Sequence, residues 1–390
     1  MEIATEKKQV LTEIFRFLKA KEAQYLTLGG YAGTGKTFLL SLFRKKLYDE
    51  YPKLRVAFCS YTGKASQVLA WTLRNNRSIF GKDKVGTIHS LIYEPQVDSR
   101  GEIKAWKKRD MIDYHLIVID EASMVSEDIW NDLLSYQLPI IAVGDHGQLP
   151  PVGTNFNLME KPDLVLEQIF RQEEGSAIIR LSEQVRKTGK ISIGKFGKQV
   201  VKYNKRDMET AEVVEDLVRS WNEETMFLVG MNRTRVKLNQ EIRVFRDILE
   251  MNPTVTDRVI CLRNNWKLGI YNGMLGTIVE IKDEMNKYGQ KHWYDSDIMM
   301  DDGIGFSGLI SAHQFNQEST IRQVKGLAWK EIGELFDFGY CLTVHKAQGS
   351  QARKVVVFEE RNRYISDDEW RRWLYTAVTR AIEELVIIGE

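Results

Sequence analysis

Apolar residues in the first half of the chain fall into short continuous runs rather than alternating ones. Gln24-Tyr25-Leu26-Thr27-Leu28, Leu116-Ile117-Val118-Ile119 and Ile140-Ile141-Ala142-Val143 are such runs, and a further one ends near Cys59. A strand that loses water on both faces needs apolar side chains at every position, as in a parallel sheet covered by helices. Helix-like stretches stand between them, at Lys7–Leu18 and Phe38-Leu39-Leu40-Ser41-Leu42-Phe43. The second half repeats the scheme with Met226-Phe227-Leu228-Val229, Lys354-Val355-Val356-Val357-Phe358 and Leu385-Val386-Ile387-Ile388. The pattern predicts an α/β chain with two parallel-sheet domains, each flanked by helices.

Two stretches break this rhythm. Between Ile92 and Trp106, two β-prone pieces flank the turn-like cluster Asp98-Ser99-Arg100-Gly101, which reads as a β-hairpin. From about 256 to 334 the chain has short β-prone pieces such as Arg258-Val259-Ile260-Cys261-Leu262 and Thr277-Ile278-Val279-Glu280-Ile281. Asn272-Gly273 between apolar pieces is a hairpin signal. A small all-β insert is expected there.

A chain of 390 residues exceeds the size at which a single core stops growing, so more than one domain is expected. The net charge of +1 neither supports nor excludes nucleic acid, because local patches decide that. Cys59, Cys261 and Cys341 are few and set among apolar residues, as core thiols of a reducing compartment would be. The start, Met1-Glu2-Ile3-Ala4-Thr5-Glu6, has neither the basic nor the apolar segment of a secretory signal. No apolar run approaches a membrane span. The expected location is cytoplasmic, in a bacterial or phage-infected cell.

The chemistry is carried by two motifs at strand ends. Gly30-Tyr31-Ala32-Gly33-Thr34-Gly35-Lys36-Thr37 is a complete phosphate-binding loop, preceded by a strand and followed by a helix. Glycines let backbone N–H groups turn toward phosphates, and the helix N-terminus adds positive potential. Lys36 reaches the β/γ-phosphates of ATP in such a loop, and the Thr37 hydroxyl ligates Mg²⁺. The apolar run ending at Ile119 delivers Asp120-Glu121 at its carboxyl end, where α/β sheets place ligands. Asp120 is expected to hold Mg²⁺ indirectly, through groups bound to the ion, and Glu121 to orient and deprotonate the attacking water. The third strand ends in Gly144-Asp145-His146-Gly147-Gln148-Leu149-Pro150-Pro151-Val152. Gln148 sits where a polar side chain could report the γ-phosphate, although spacing alone assigns it nothing. No further carboxylate cluster of the kind two-metal nucleases need is present.

In this ordered set the chain resembles the superfamily 1 helicases, specifically their RecD-like and phage Dda-like 5′→3′ branch. Thr62-Gly63-Lys64-Ala65 resembles motif Ia, and Thr87-Ile88-His89-Ser90 the next DNA-contacting motif. Asp120 to Met124 resembles motif II, Gly144 to Val152 motif III, and Phe170-Arg171-Gln172 motif IV. Leu342-Thr343-Val344-His345-Lys346-Ala347-Gln348-Gly349-Ser350 resembles motif V, and Leu374-Tyr375-Thr376-Ala377-Val378-Thr379-Arg380 motif VI. The resemblance makes Arg171 and Arg380 arginine fingers, Gln148 a catalytic residue, and Gln9, Gln348 and Gly349 nucleotide-facing. It makes Thr62, Lys64, Thr87, His89, Thr343 and His345 contacts to DNA. Tyr61 stands where the family usually has proline. The long N-terminal extension of RecD proteins has no counterpart, which argues against docking into a recombination nuclease complex.

The resemblance implies two RecA-like P-loop domains, with domain 1 at 1–168 and domain 2 at 169–255 and 335–390. A hairpin insert (about 91–108) and a small SH3-like β insert (256–334) interrupt them. In this branch the hairpin is a pin that splits duplex. Tyr93 and Trp106 are its aromatic candidates, unless Trp106 simply packs on the core. Between Arg186 and Arg206 stand eight Lys or Arg and no acid, which reads either as an anion-facing patch or as a solvated loop. The expected function is an ATP- and Mg²⁺-dependent DNA helicase that translocates on single-stranded DNA, 5′→3′ by resemblance, and opens forks. It would act as a monomer alongside replication or repair proteins, with no membrane partner. The alternatives are a single-strand translocase that displaces proteins without melting duplex, and a nucleotide-gated binding module.

Overall fold

A computed structural model describes residues 4–97, 103–151, 156–168, 176–265, 268–286, 288–301, 303 and 305–390. The chain divides into two compact units, Met1–Gly175 and Ser176–Glu390.

The strands of the first unit are β1 (Tyr25–Gly30), β2 (Val56–Ser60), β3 (Lys84–Thr87), β4 (Tyr93–Val97), β5 (Ile103–Lys108), β6 (Leu116–Asp120), β7 (Ile140–Gly144) and β8 (Leu164–Leu166). Six of them form a sheet in the order β3-β2-β6-β7-β1-β8, parallel throughout. The continuous apolar runs behave as expected of two-sided strands. Phe58, Val118, Ile141 and Val143 pack against the helices Thr5–Ala20, Lys36–Glu50 and Gly63–Asn75. Their neighbours Cys59, Ile117, Ile119 and Ala142 pack on the other face with Trp130 and Leu133 of the helix Glu127–Leu134. β4 and β5 form the hairpin, with Tyr93 opposite Lys108 and Gln96 opposite Ala105. The cluster Asp98-Ser99-Arg100-Gly101 lies outside the described residues.

The second unit holds β9 (Gly194–Phe196), β10 (Val200–Asn204), β11 (Thr225–Val229), β12 (Arg258–Cys261), β13 (Leu275–Met285), β14 (Lys291–Met300), β15 (Gly305–Ser311), β16 (Phe336–Phe338), β17 (Cys341–Thr343), β18 (Ala352–Phe358) and β19 (Ala381–Gly389). One sheet has the order β17-β11-β18-β19-β10-β9 and is parallel except for β9. The other is antiparallel, in the order β15-β14-β13-β12-β16. A boundary at 335 leaves Phe336–Phe338 outside the insert, yet this strand pairs with β12. The reason is that the two sheets share one core. Phe227, Val356 and Ile388 of the parallel sheet lie in the same apolar cluster as Val259, Ile278, Phe336 and Phe338.

Two buried ion pairs hold the helix Asn232–Phe245, Arg235 to Asp337 of β16 at 2.7 Å and Arg243 to Asp257, just before β12, at 2.8 Å. Removing one partner of such a pair strands a charge and costs about 3–5 kcal/mol. The cysteines Cys59, Cys261 and Cys341 are buried free thiols. Among the described residues no helix is long and apolar enough to cross a membrane.

Candidate nucleotide and nucleic-acid sites

β1 runs out at Gly30, and the helix Lys36–Glu50 begins after the intervening loop Tyr31-Ala32-Gly33-Thr34-Gly35. The reversal needs left-handed backbone at Gly33 (φ +80°) and Gly35 (φ +75°), which glycine adopts without steric cost. Thr34 closes the turn, its hydroxyl donating to the Tyr31 carbonyl at 2.9 Å. The Lys36 ammonium donates to the carbonyls of Gly30 (2.8 Å) and Tyr31 (3.0 Å), so it lies over the loop it belongs to. No acidic residue occupies the first turn of this helix, which leaves its positive end unneutralised.

β6 lies two strands from β1, and its carboxyl end carries Asp120 to the same loop. The Thr37 hydroxyl donates to Asp120 Oδ2 at 3.0 Å, across 83 residues of sequence. The Glu121 amide donates to Asp120 Oδ1 at 3.0 Å. Burial raises the Asp120 carboxyl above its ordinary pKa, while Lys36, the Glu121 amide and Thr37 pull it down. Glu121 itself has left-handed backbone (φ +55°, ψ +40°), a conformation costly for a residue with a Cβ. Strain of this kind gathers at functional sites, and here it turns the chain sharply at the end of β6. Thr37 and Asp120 supply hard oxygen donors side by side, as suits a small divalent cation that also binds phosphate oxygens. Among the described residues no group of three or more His, Cys, Asp or Glu forms a self-sufficient metal cage.

Gln148 is buried, and its amide donates to Asp145 Oδ2 at 3.1 Å, while Asp145 Oδ1 accepts from the Gly147 amide. Asp145, missed by sequence reasoning, thus fixes the turn that holds Gln148. Its signal was an acid directly after an apolar run and a glycine. The Tyr31 and His146 rings pack at 4.1 Å, joining this turn to the phosphate loop. Gln9 is exposed on the helix Thr5–Ala20. Glu6 of that helix accepts from the Glu167 and Gln168 amides. Arg171 lies outside the described residues.

The candidate DNA residues of the first unit have local roles as well. Thr62 caps the helix Gly63–Asn75, its hydroxyl accepting from the Ala65 amide, and Thr87 caps Ile88–Ile92 by accepting from Ser90. Lys64 is half-buried at the first of these helix starts. His89 lies between Tyr61 and Tyr93, with centroids at 6.0 and 5.7 Å, and burial holds its imidazole below the usual histidine range. Tyr93 donates to Asp132, and Tyr136 donates to the Ile92 and Arg109 carbonyls, so the base of the hairpin is anchored. Trp106 pairs through its backbone with Pro95, and its side chain lies outside the described residues.

In the second unit, Thr343 is buried at the end of β17 and His345 follows it, exposed. Gln348 is buried, and Gly349 takes left-handed backbone (φ +74°) before β18. Burial beside Arg235 pushes the neighbouring Lys346 down to about 8, against the pull of Asp337. Arg380 is buried; its guanidinium donates to the Thr376 carbonyl (3.0 Å), the Ser350 carbonyl (3.2 Å) and the Thr379 hydroxyl (3.1 Å).

The run from Arg186 to Arg206 is not a single patch. Lys202 points inward, donating to Glu359 (2.6 Å) and to the Ile191 and Glu390 main-chain oxygens. Lys187 pairs with Glu183, and Lys205 and Arg206 pair with Glu390.

Comparison with known proteins places these motifs in context. The AAA domain model matches residues 6–208, and the UvrD-like helicase C-terminal domain model matches 338–388. An uncharacterized mimiviral protein, R530 of Acanthamoeba polyphaga mimivirus, is 24% identical over 329 residues, 80% of this chain and 62% of that one. The chain therefore spans less than two thirds of that relative. The ATP-dependent DNA helicase Pif1 of Campylobacter jejuni is 23% identical over 397 residues, 87% of this chain and 85% of that one. Among solved structures, Pif1 helicase from Bacteroides in complex with ADP-AlF3 and ssDNA has the same fold. The TM-score is 0.57 at 18% identity, covering 99% of this chain and 92% of that one.

Proposed function

The chain belongs to the AAA domain family, and from that premise we propose that it is an ATP-dependent DNA helicase moving on single-stranded DNA. The observation that carries this reading is the Thr37–Asp120 hydrogen bond, which assembles the phosphate loop and the strand-end carboxylates into one hydrolytic centre. Lys36 and the amides of the loop hold the β- and γ-phosphates. Thr37 and Asp120 would hold Mg²⁺, which would supply positive charge beside the phosphates. Glu121, fixed by its turn, takes the proton of the attacking water, and Gln148 reports the γ-phosphate. Arg171 and Arg380 serve as arginine fingers; for Arg380 this means leaving the Ser350 and Thr376 carbonyls.

Helix starts at Thr62-Gly63-Lys64 and Thr87-Ile88-His89 suit the phosphate backbone, because amides and hydroxyls bind phosphate without reading sequence. Thr343 and His345 supply contacts of the same kind. The antiparallel sheet is the SH3-like cover for single-stranded DNA, and the anchored hairpin is the wedge that separates strands. Polarity in this reading is 5′→3′.

The hairpin supplies the test. Gln96 and Ala105 are cross-strand partners, so Gly-Gly can replace 97–104 and close the ladder. The shortened protein should keep DNA-stimulated ATP hydrolysis and lose fork unwinding. Equal loss of both would remove the wedge from the account. Stimulated hydrolysis without strand separation in the unaltered protein would make it a translocase.

A further inference from the structure

We infer that the outer face of the helix Gly63–Asn75 is a base-stacking platform for single-stranded nucleic acid, with Trp71 as its centre. The inference rests on the reading of the chain as a single-strand motor and adds a residue that no motif supplies.

The helix buries Ala65, Ser66, Leu69 and Leu73 against its sheet. At 100° per residue, Lys64, Val68, Trp71 and Asn75 fall on the opposite side in one stripe. Trp71 is 66% exposed and Val68 54%. An indole this open covers no core, and with Val68 one turn away it forms a short apolar stripe on the outer face. The charge around it selects the user. From Tyr51 to Lys82 the chain has no Asp or Glu, and it has Lys53, Arg55, Lys64, Arg74, Arg77 and Lys82. The first acid beyond, Asp83, is buried against Arg44 at 2.8 Å and contributes no surface charge. Arg55 is paired with Asp113, but Arg74, Arg77 and Lys82 are exposed. Arg74, one turn from Trp71 on the same helix, and Arg77 just beyond its end thus give this segment an exposed positive charge. It fits a polyanion with exposed aromatic faces better than an acid-bearing protein helix, because unstacked bases supply both elements.

The platform also continues the proposed phosphate contact at the start of the helix. Trp71 is seven residues from Lys64, about 10 Å along the axis at 1.5 Å per residue. That is close to three nucleotides at about 3.4 Å each. A strand whose backbone meets the helix start would bring a base over the indole.

The experiment is anisotropy binding of labelled oligo(dT), of the same oligomer with abasic sites, and of duplex. It uses the full chain and its Trp71→Ala and Trp71→Phe variants, with melting temperature as a check of folding. Trp71→Ala should bind oligo(dT) about 5- to 150-fold more weakly, the span expected for loss of one stacked base. Trp71→Phe should recover most of it, and the abasic oligomer should bind all three proteins alike. Unchanged oligo(dT) affinity in Trp71→Ala, equal losses for abasic and base-bearing strands, or a loss confined to duplex would each overturn the inference while leaving the motor reading intact. No single-strand binding by the unaltered protein would bring down both.

Discussion

The two parallel sheets of this chain present their candidate nucleotide residues at different strand ends. In the first unit Lys36, Thr37, Asp120, Glu121, Asp145 and Gln148 all follow strands, at the carboxyl ends of β1, β6 and β7. In the second, Gln348 and Gly349 precede β18 and Arg380 precedes β19, at their amino ends. The difference follows from helix direction. A strand that feeds a helix meets that helix's N-terminus, which favours anions. A strand that receives the chain from a helix meets a C-terminus, which favours cations. Arg380 comes two residues after the helix Asp367–Val378 and donates to its Thr376 carbonyl. In the proposed reading, one edge binds phosphate and the other presents a guanidinium.

Breaking the cationic edge should have the largest effect. Arg380→Ala should lower the ATP hydrolysis rate by about 10³-fold or more if it acts as a finger. Arg380→Lys keeps the charge but not the planar fork, and should remain well below the unaltered rate. Steady-state hydrolysis by variants of unchanged melting temperature checks this. A folded Arg380→Ala with a rate within tenfold of normal would leave the residue a purely structural one.

The anionic edge should respond differently. Glu121→Gln should slow hydrolysis by about 10²–10⁴-fold while nucleotide affinity stays within a few-fold. Equilibrium titration with a fluorescent ATP analogue separates the two. Loss of binding in parallel with rate would make Glu121 a binding group.

The smallest effect sharpens the contrast between buried charges. Asp120 has Lys36, the Glu121 amide and the Thr37 hydroxyl to offset its burial, whereas Lys346 sits near Arg235 with its pKa pushed down to about 8. Its ordinary value is 10.5. Between those values the unfolded chain binds more protons than the folded one, so folding stability should rise with pH from about 8 to 10.5. Below about 8 both states are protonated and the full penalty is present. Denaturant midpoints for the unaltered chain and Lys346→Met should converge across that window. Parallel curves would mean that Lys346 titrates normally.

Much of the first unit was readable because its signals are local. The phosphate loop is contiguous, and the runs at Leu116–Ile119 and Ile140–Val143 have no alternation to misread. The three-dimensional partners were not readable. The motifs bring Thr37 and Asp120 to one site but do not name the direct hydrogen bond between them, and nothing near Gln148 shows that Asp145 holds its amide. The charge run fails for a related reason. Counting cations between Arg186 and Arg206 ignores the pleat of β10, which puts Lys202 on the same buried side as Val200. The core shared by the parallel and antiparallel sheets likewise gathers into one cluster residues such as Phe227 and Phe336, more than 100 positions apart. Composition marks where such an insert begins, not which strand it borrows at its end.

The measurement that bears most directly on the account is ATP-driven unwinding of matched forks, one with a 5′ single-stranded tail and one with a 3′ tail. Unwinding from the 5′ tail alone, abolished in Glu121→Gln, is the predicted result. Unwinding from the 3′ tail, or strand separation that persists in Glu121→Gln, would contradict it.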